Sequence, residues 1–507
     1  METIIEKIDK NQIDEQVIAK AGGILKNGGL VAFPTETVYG LGANALDGEA
    51  AMKTYAAKGR PSDNPLIVHI ADIDDLPIVA RNVTDKARRV IERFWPGPLT
   101  LIFEKQYVVP FGTTGGLSTV AVRMPTDEIA QAVIRAGGGY ISAPSANTSG
   151  RPSPTTAQHV AEDLDGKIDM ILDGGSVDIG VESTILDMTV EPPMILRPGA
   201  ITKEMLEEVL GEVTVDRALL AGDTEEAPKA PGMKYRHYAP KAQLMIVEGT
   251  QDEAVKAIRQ MAYEQEQLGY RSGIIATDET VDAYTIGIVK NIGARANENT
   301  IAKNLYKVLR EFDEEEVSYI FSEAFETEGI GDAIMNRLEK AAGHLVVQAS
   351  EVLKLQKYRR VLFVSGSDTS RGPMAAEILR HESLIQEYQI GSRGMVVLFP
   401  EPANQKAEAI MRSHQMTIAT HEATPLTEED LDDETLVLTM EESQKWKIVA
   451  AYSNVKNVYT LKEYVDDNRE IQTAHGQPLV VYEENFELLQ ELIGRLADKL
   501  NEEVKNI

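Results

Sequence analysis

The chain alternates between short, fully apolar runs and longer stretches in which apolar residues recur every three or four positions. Gly29-Leu30-Val31-Ala32-Phe33-Pro34 is an unbroken apolar run closed by proline, which predicts a buried strand. Leu66–Ile70, Leu99–Phe103 and Val120–Met124 have the same character. Between them, Glu49–Ala57 predicts a helix with Met52, Tyr55 and Ala56 on one face and Lys53 on another. Periodicity is lost at Ala221–Tyr238 (AGDTEEAPKAPGMKYRHY), rich in proline, glycine and charge, which predicts a linker or an ordered arm.

A second apolar pattern starts at Gln243–Val247. It passes through an amphipathic stretch at Gln251–Glu266 and regains strand character at Ser272–Ala276. Strand, helix, strand with short loops predicts a small doubly wound α/β unit. It closes with a helix through Ala333–Ala342 and a strand-like run at His344–Gln348. A third start is the strand Arg360–Val364, followed by the polar loop Ser365–Gly372 and a helix at Pro373–Glu382 with proline in its first turn. The last helix is predicted at Tyr482–Val504, and no solenoid repeat or low-complexity tract interrupts the series. The fold class is therefore three α/β units in succession: residues 1–213, an arm at 214–242, residues 243–350 and residues 358–507.

Composition narrows the function. The 507 residues carry 51 Lys plus Arg against 80 Asp plus Glu, a net charge of −29. So acidic a chain is a poor candidate for gripping nucleic acid over a wide face, although a local basic pocket is compatible with it. The absence of cysteine excludes disulfides, thiolate metal sites and cysteine nucleophiles. Met1–Lys10 has no continuous apolar core of a signal peptide, and no run reaches the roughly 18 apolar residues of a membrane span. The expected compartment is the cytoplasm.

Four clusters in the first unit carry candidate chemistry. Pro34–Gly42 (PTETVYGLG) is a polar turn directly after a buried strand; it is either a tight turn or a place where hydroxyls and backbone N–H groups meet a ligand. Lys58-Gly59-Arg60-Pro61 with Asn64-Pro65 places two cations at a helix end, which the helix dipole favours by itself and which an anion site also needs. Ser142–Ser153 gathers hydroxyls, an amide and a guanidinium in one glycine- and proline-punctuated loop, an ordinary loop or a phosphate cradle. Glu182–Asp187 and Leu196–Gly199 repeat the theme of polar groups opening or ending an apolar strand.

Taken together and in this order, the strings TETVYGLG, KGRPSDNPL, WPGPLTL, VAVRMP, APSANTSGRPSPT, VESTIL and LRPGAI resemble the YrdC-type threonylcarbamoyl-AMP synthases. PGMKYRHYAP and GDAIMNRLEKAAG extend the resemblance to the long, two-domain form, over residues 1–350. The resemblance implies a YrdC-like twisted open sheet followed by a Rossmann-like domain. It implies a nucleotidyltransferase that makes threonylcarbamoyl-adenylate, pyrophosphate and water from L-threonine, bicarbonate and ATP with Mg²⁺. Other proteins, the tRNA threonylcarbamoyl transferase machinery, then modify the adenosine beside the anticodon, so no direct tRNA grip is expected here. Carried over by motif, Thr35, His69, Arg123 and Ser183 would hold threonine. Lys58, Arg60, Asn64, Thr119, Ser145, Ser153 and Arg197 would hold the nucleotide. Tyr235, Arg236 and Tyr238 lie in the arm, which would act as a lid. No protein-held metal and no catalytic base is expected. The other readings are a nucleotide- or RNA-binding relative without synthesis, and a scaffold.

VLFVSGSDTSRGPMAAE, Val361–Glu377, resembles the phosphate loop of low-molecular-weight protein tyrosine phosphatases, a parallel α/β fold. That family carries Cys-x5-Arg; here the spacing survives as Ser365 to Arg371 with serine at the nucleophile position. The Ser or Thr after the arginine is Gly372, and Ile471–Pro478 lacks the Asp-Pro that supplies the general acid. Three losses predict a pseudophosphatase, serving as an anion or phosphoprotein sensor or as a structural and interaction module, with residual hydrolysis as the remaining alternative.

Overall fold

The buried apolar runs become the middle of one mixed sheet. Its strands are β1 (Ile4–Lys7), β2 (Val31–Phe33), β3 (Gly40–Asn44), β4 (Ile67–His69), β5 (Ala80–Arg81), β6 (Leu99–Lys105), β7 (Thr119–Arg123), β8 (Ile141–Ser142), β9 (Met170–Asp173), β10 (Thr184–Asp187), β11 (Met194–Arg197) and β12 (Thr214–Val215). They lie in the order β1-β9-β2-β3-β8-β4-β7-β6-β10-β11-β12, with β5 on β6. In the central strands the apolar side chains are covered on both faces, which is why these read as continuous rather than alternating runs, whereas Ile4 and Ile5 of the edge strand β1 are exposed. The structure, a computed structural model, describes residues 2–216, 237–354, 357–452 and 455–505. Two compact units emerge, Met1–Ile258 with Arg271–Val347 and Arg259–Tyr270 with Gln348–Ile507.

Register is what assembles the site. The parallel pairing of β4 with β7 sets His69 opposite Arg123, and the antiparallel pairing of β6 with β7 sets Thr100 opposite Arg123. Thr184, paired with Leu99, fixes Ser183 just before β10 starts. Residues distant in sequence thus converge where neighbouring central strands end.

The helix Gly48–Lys58 corrects one expectation. Its buried face is Ala50, Ala51, Thr54, Tyr55 and Lys58, while Met52 is 54% exposed and Ala56 also faces outward. Small side chains at 50 and 51 let the helix lie close on the sheet, and the Lys58 ammonium is drawn inward by carbonyl groups of the Ser142–Ser153 loop. Polar satisfaction therefore outweighs the burial of one methionine. Gly59, at φ 63, ends the helix in the left-handed conformation that suits glycine.

The second sheet is β13 (Gln243–Glu248), β14 (Ser272–Ala276), β15 (Ile288–Asn291), β16 (Tyr319–Glu323) and β17 (Val346–Gln348), ordered β15-β14-β16-β13-β17. The pairs β13–β16, β14–β16 and β14–β15 are parallel. The third sheet is β18 (Arg360–Ser365), β19 (Gln389–Gly394), β20 (Thr435–Thr439) and β21 (Val458–Thr460), parallel throughout in the order β19-β18-β20-β21. The helix after β18 is Arg371–Arg380, so Pro373 is its third residue, and the final helix is Leu479–Lys505. The molecule is thus mixed α/β with parallel sheets. Of the arm, residues 217–236, including Tyr235 and Arg236, lie outside the described residues, and Thr214–Val215 pair with β11 as a last strand.

Candidate active site

A cavity opens over the ends of the central strands. Its wall includes Thr37, Arg60, His69, Arg123, Ser145, Asn147, Arg151, Ser153, Glu182, Ser183, Arg197, His237 and Tyr238. Four guanidinium groups and one carboxylate face it, in a chain with net charge −29. Such a cavity is built for anions.

Three of the four cations, Arg123, Arg60 and Arg197, are held from behind, and Arg151 pairs with Asp163 and, at 3.3 Å, with Asp313. Arg123 donates to Thr37 Oγ1 at 2.9 Å and forms a buried ion pair with Glu36 at 2.7 Å. Arg60 donates to Asn64 Oδ1 at 2.6 Å and to the Pro65 carbonyl at 3.0 Å. Burial lowers Arg60 to about 10, which leaves it charged at neutral pH. Arg197 donates through Nε to the Ser183 carbonyl at 3.0 Å and through Nη2 to Ser183 Oγ at 3.2 Å; Ser183 Oγ also meets Thr100 Oγ1 at 2.8 Å.

His69 is neutral. Burial, reinforced by the neighbouring Arg123, lowers it to about 3. Its Nδ1 lies 3.1 Å from the Ile67 carbonyl, which can only accept, so Nδ1 carries the proton and Nε2 keeps a lone pair. The group is an acceptor, and a very weak base.

Several motif residues form the frame of the cavity rather than its wall. Thr35 Oγ1 bonds the Val38 carbonyl at 2.7 Å and Thr37 Oγ1 at 2.9 Å, so Thr37 is the hydroxyl at the wall. Lys58 is 1% exposed and donates to the Ser145 carbonyl, to the Asn147 carbonyl at 2.6 Å and to Asn147 Oδ1 at 3.3 Å. Burial, then the charge of Arg60, pulls its ammonium well below the usual lysine range. Asn64 orients Arg60, and Thr119 sits half-buried at the start of β7. None of these four is part of the wall.

Glu182 was read only as part of a polar cluster and Tyr238 as part of the arm, while Tyr306, Arg310 and Arg337 escaped the sequence reading. Glu182 accepts from Ser153 Oγ at 2.6 Å, Tyr306 OH at 2.8 Å and Arg337 Nε at 3.1 Å. Burial by itself would raise this carboxyl, but Arg337 and Arg197 hold it down at about 2. Arg310 donates to Asp163 Oδ2 at 2.9 Å and to the Pro152 carbonyl at 2.7 Å, bracing the Ser142–Ser153 loop. Tyr306, Arg310 and Arg337 come from the helices Glu298–Glu314 and Ile330–Ala342 that flank the second sheet. Tyr238 is buried, at φ 62, with its ring stacked on Tyr306 at 5.2 Å between centroids. A tyrosine in left-handed backbone is held there only by its surroundings. His237, which carried no assignment in the sequence, joins it in the wall.

The family model named for Sua5, YciO and YrdC and described as "Telomere recombination" matches residues 23–199, and that described as "Threonylcarbamoyl-AMP synthase, C-terminal domain" matches residues 201–343. The threonylcarbamoyl-AMP synthase of Pyrococcus abyssi is 48% identical over 346 residues, 68% of this chain and 99% of the relative. That of Bacillus subtilis is 50% identical over 345 residues, 68% of this chain and 98% of the relative. The chain belongs to the threonylcarbamoyl-AMP synthase family. The crystal structure of P. abyssi Sua5 complexed with L-threonine covers 68% of this chain and 99% of that one, at 47% identity and a TM-score of 0.65. No helix among the described residues is long and apolar enough to cross a membrane.

This member of the synthase family carries a further domain. Residues 360–506 match the model described as "Low molecular weight phosphotyrosine protein phosphatase". Ser365 ends β18, and Arg371 opens the following helix. The Arg371 guanidinium is buried and engaged, by Glu441 Oε1 at 2.5 Å and the Ile471 carbonyl at 2.8 Å. The two aspartates nearest the missing Asp-Pro are paired with cations: Asp467 with Arg469 at 2.8 Å and Arg495 at 3.2 Å, Asp466 with Lys499 at 3.4 Å.

Proposed function

We propose that the first 350 residues join L-threonine, bicarbonate and MgATP into threonylcarbamoyl-adenylate, releasing pyrophosphate and water. The observation that carries this reading is the cavity itself, with four guanidinium groups and a neutral histidine acceptor around a ring of hydroxyls. In this reading the threonine carboxylate pairs with Arg123, and its amine donates to the lone pair of His69 Nε2. Thr37, braced by Thr35, and Ser183 supply the neighbouring hydroxyl contacts. The amine lone pair attacks the carbon of bicarbonate, and water leaves. A carbamate oxygen then attacks the α-phosphorus, and the bond to the β-phosphate breaks to release pyrophosphate. Arg60 and Arg197 neutralise the phosphates, with Mg²⁺ arriving as part of the nucleotide. Ser145 and Ser153 border the nucleotide side, Lys58 and Asn64 hold its frame, and Thr119 lies behind. Catalysis is positioning plus electrostatic stabilisation, since His69 is too weak a base to move the proton.

We extend the lid reading to the arm that ends at His237 and Tyr238. Closing over the cavity would keep water from the labile carbamate. The product would pass to the tRNA-modifying transferase machinery in the cytoplasm; a net charge of −29 fits a protein that need not hold tRNA. The third domain is read as a pseudophosphatase with a structural or interaction role.

The test is pyrophosphate release from ATP with and without L-threonine and bicarbonate, beside hydrolysis of p-nitrophenyl phosphate. Release that requires both co-substrates is expected, with no phosphatase turnover. Arg60→Ala should raise the KM for ATP at least tenfold, and Arg123→Ala the KM for threonine, the size expected for loss of a charge-assisted pair of about 1.5–3 kcal/mol. An unchanged KM in either variant removes that assignment, and absence of release leaves a binding protein. For the lid, amide exchange across residues 217–242 should slow when ATP and threonine are both present; equal exchange with and without them would leave the arm a spacer.

A further inference from the structure

The loop Ser365–Arg371 has a feature that loss of the nucleophile does not account for. Asp368, in its middle, is 0% exposed and adopts φ 57, a left-handed conformation that residues with a side chain seldom take. Its Oδ2 accepts from the Thr424 backbone N–H at 3.0 Å and lies 3.3 Å from His421 Nε2. Its Oδ1 is buried with no hydrogen-bond donor. A β-carbon on Gly372 would stand 3.1 Å from that Oδ1 and 3.1 Å from Ser365 Oγ. The orphan carboxylate oxygen and the hydroxyl at the nucleophile position therefore border one small space. The residue facing both is the glycine that replaces a hydroxyl-bearing side chain.

We infer that Asp368 sets this loop against anions, and that it keeps the domain from taking phosphate independently of the change at Ser365. Phosphate-cradling loops work by aiming backbone N–H groups and a guanidinium at the ligand with no competing negative charge inside. Here Arg371 is already paired with Glu441 at 2.5 Å. A second carboxylate lies within the loop, and one of its oxygens meets no donor. Buried like charge disfavours a phosphate dianion, and it equally disfavours a thiolate at position 365. Restoring cysteine there is therefore not enough to restore the site. The inference rests on the reading of this domain as an inactive phosphatase relative.

The chain has no cysteine, so Ser365→Cys introduces a single thiol whose titration can be followed in the full-length protein. Its alkylation rate is measured across pH, with and without tungstate as a phosphate mimic. The Ser365→Cys thiol should titrate at or above the free value of about 8.5 and gain no protection from tungstate. In Ser365→Cys/Asp368→Asn it should alkylate at least tenfold faster at pH 7 and be protected. A thiol well below 8.5 in Ser365→Cys alone, protection of that variant by tungstate, or no change on adding Asp368→Asn would each overturn the inference. Amide exchange of the unaltered chain with and without tungstate provides a measurement free of any substitution and confined to this loop: residues 366–372 should exchange equally at millimolar tungstate, and slowing in that segment overturns the proposal, whereas slowing confined to the cavity of the first sheet does not bear on it. Hydrolysis of p-nitrophenyl phosphate by the unaltered chain would overturn the inactive-domain reading as well, whereas a low-pKa thiol without such turnover overturns only the role of Asp368.

Discussion

His69 illustrates how a residue's type and its place divide the work. The family resemblance marks it as a site residue, but only its partners fix its state. It is lowered to about 3 in the folded protein, against about 6.5 in an unfolded chain. The unfolded state thus binds more protons between those values, so stability rises with pH across that window and falls as pH drops through it. His159, lowered to about 4 by burial and then by Arg310, and Glu182, held at about 2, act in the same sense, the latter below pH 4.5. The melting temperature should therefore fall steadily from pH 6.5 to pH 4, and His69→Gln should flatten that slope. An identical slope in the variant would exclude His69 as a contributor. The residues that the family resemblance named and the cavity gathers are Arg60, His69, Arg123, Ser145, Ser153, Ser183 and Arg197. Lys58, Thr35 and Asn64 belong to the same strings yet hold the frame, because a buried hydroxyl or ammonium bonds the nearest carbonyl whatever its motif suggests.

Among the elements, the strands were legible and the faces of helices less so. Continuous apolar runs of three to six residues leave a strand few alternatives. In the helix Gly48–Lys58 the face cannot be read from hydrophobicity, since its deciding residue is a lysine turned inward. The helix Glu15–Lys26 carries a similar hidden constraint at Gly22. A β-carbon there would meet the Ala136 carbonyl oxygen at 2.5 Å, on the neighbouring helix Glu128–Ala136. Glycine to alanine inside a helix ordinarily stabilises by about 1 kcal/mol. Here Gly22→Ala should instead destabilise by about 1–3 kcal/mol, the usual range for an overpacked contact, read as a lower urea midpoint. A higher midpoint would show that the two helices can move apart. Met52→Lys, on the exposed face, should leave the midpoint within about 0.5 kcal/mol.

At the scale of the molecule, the second sheet's helices complete the site of the first. Arg337, 0% exposed, reaches Glu182 at 3.1 Å and also donates to the Pro198 carbonyl beside Arg197. Removing it strands a buried carboxylate, which costs about 3–5 kcal/mol. Arg337→Met should lower the urea midpoint by that amount and reduce pyrophosphate release. Arg337→Met/Glu182→Gln should recover part of the stability, because the orphan charge is gone. Equal midpoints for the single and double variants would show that the two side chains are not coupled.

The sequence by itself determined the succession of three α/β units, the family, and a set of candidate cations and hydroxyls. These are local signals: an apolar run, a glycine at a tight turn, a motif of fixed spacing. The three losses in the phosphatase-like domain were equally visible, being identities at fixed positions. Only the tertiary structure decided which motif residues face the cavity and which stand behind it. It also brought in Glu36, Glu182, Tyr306, Arg310 and Arg337, and it showed that Asp368 is buried with an oxygen left without a donor. The physical reason is common to all of these. The cost of a buried charge depends on partners 86 to 155 residues away in the chain, such as Thr37 for Arg123 and Glu182 for Arg337, and only folding brings those partners together.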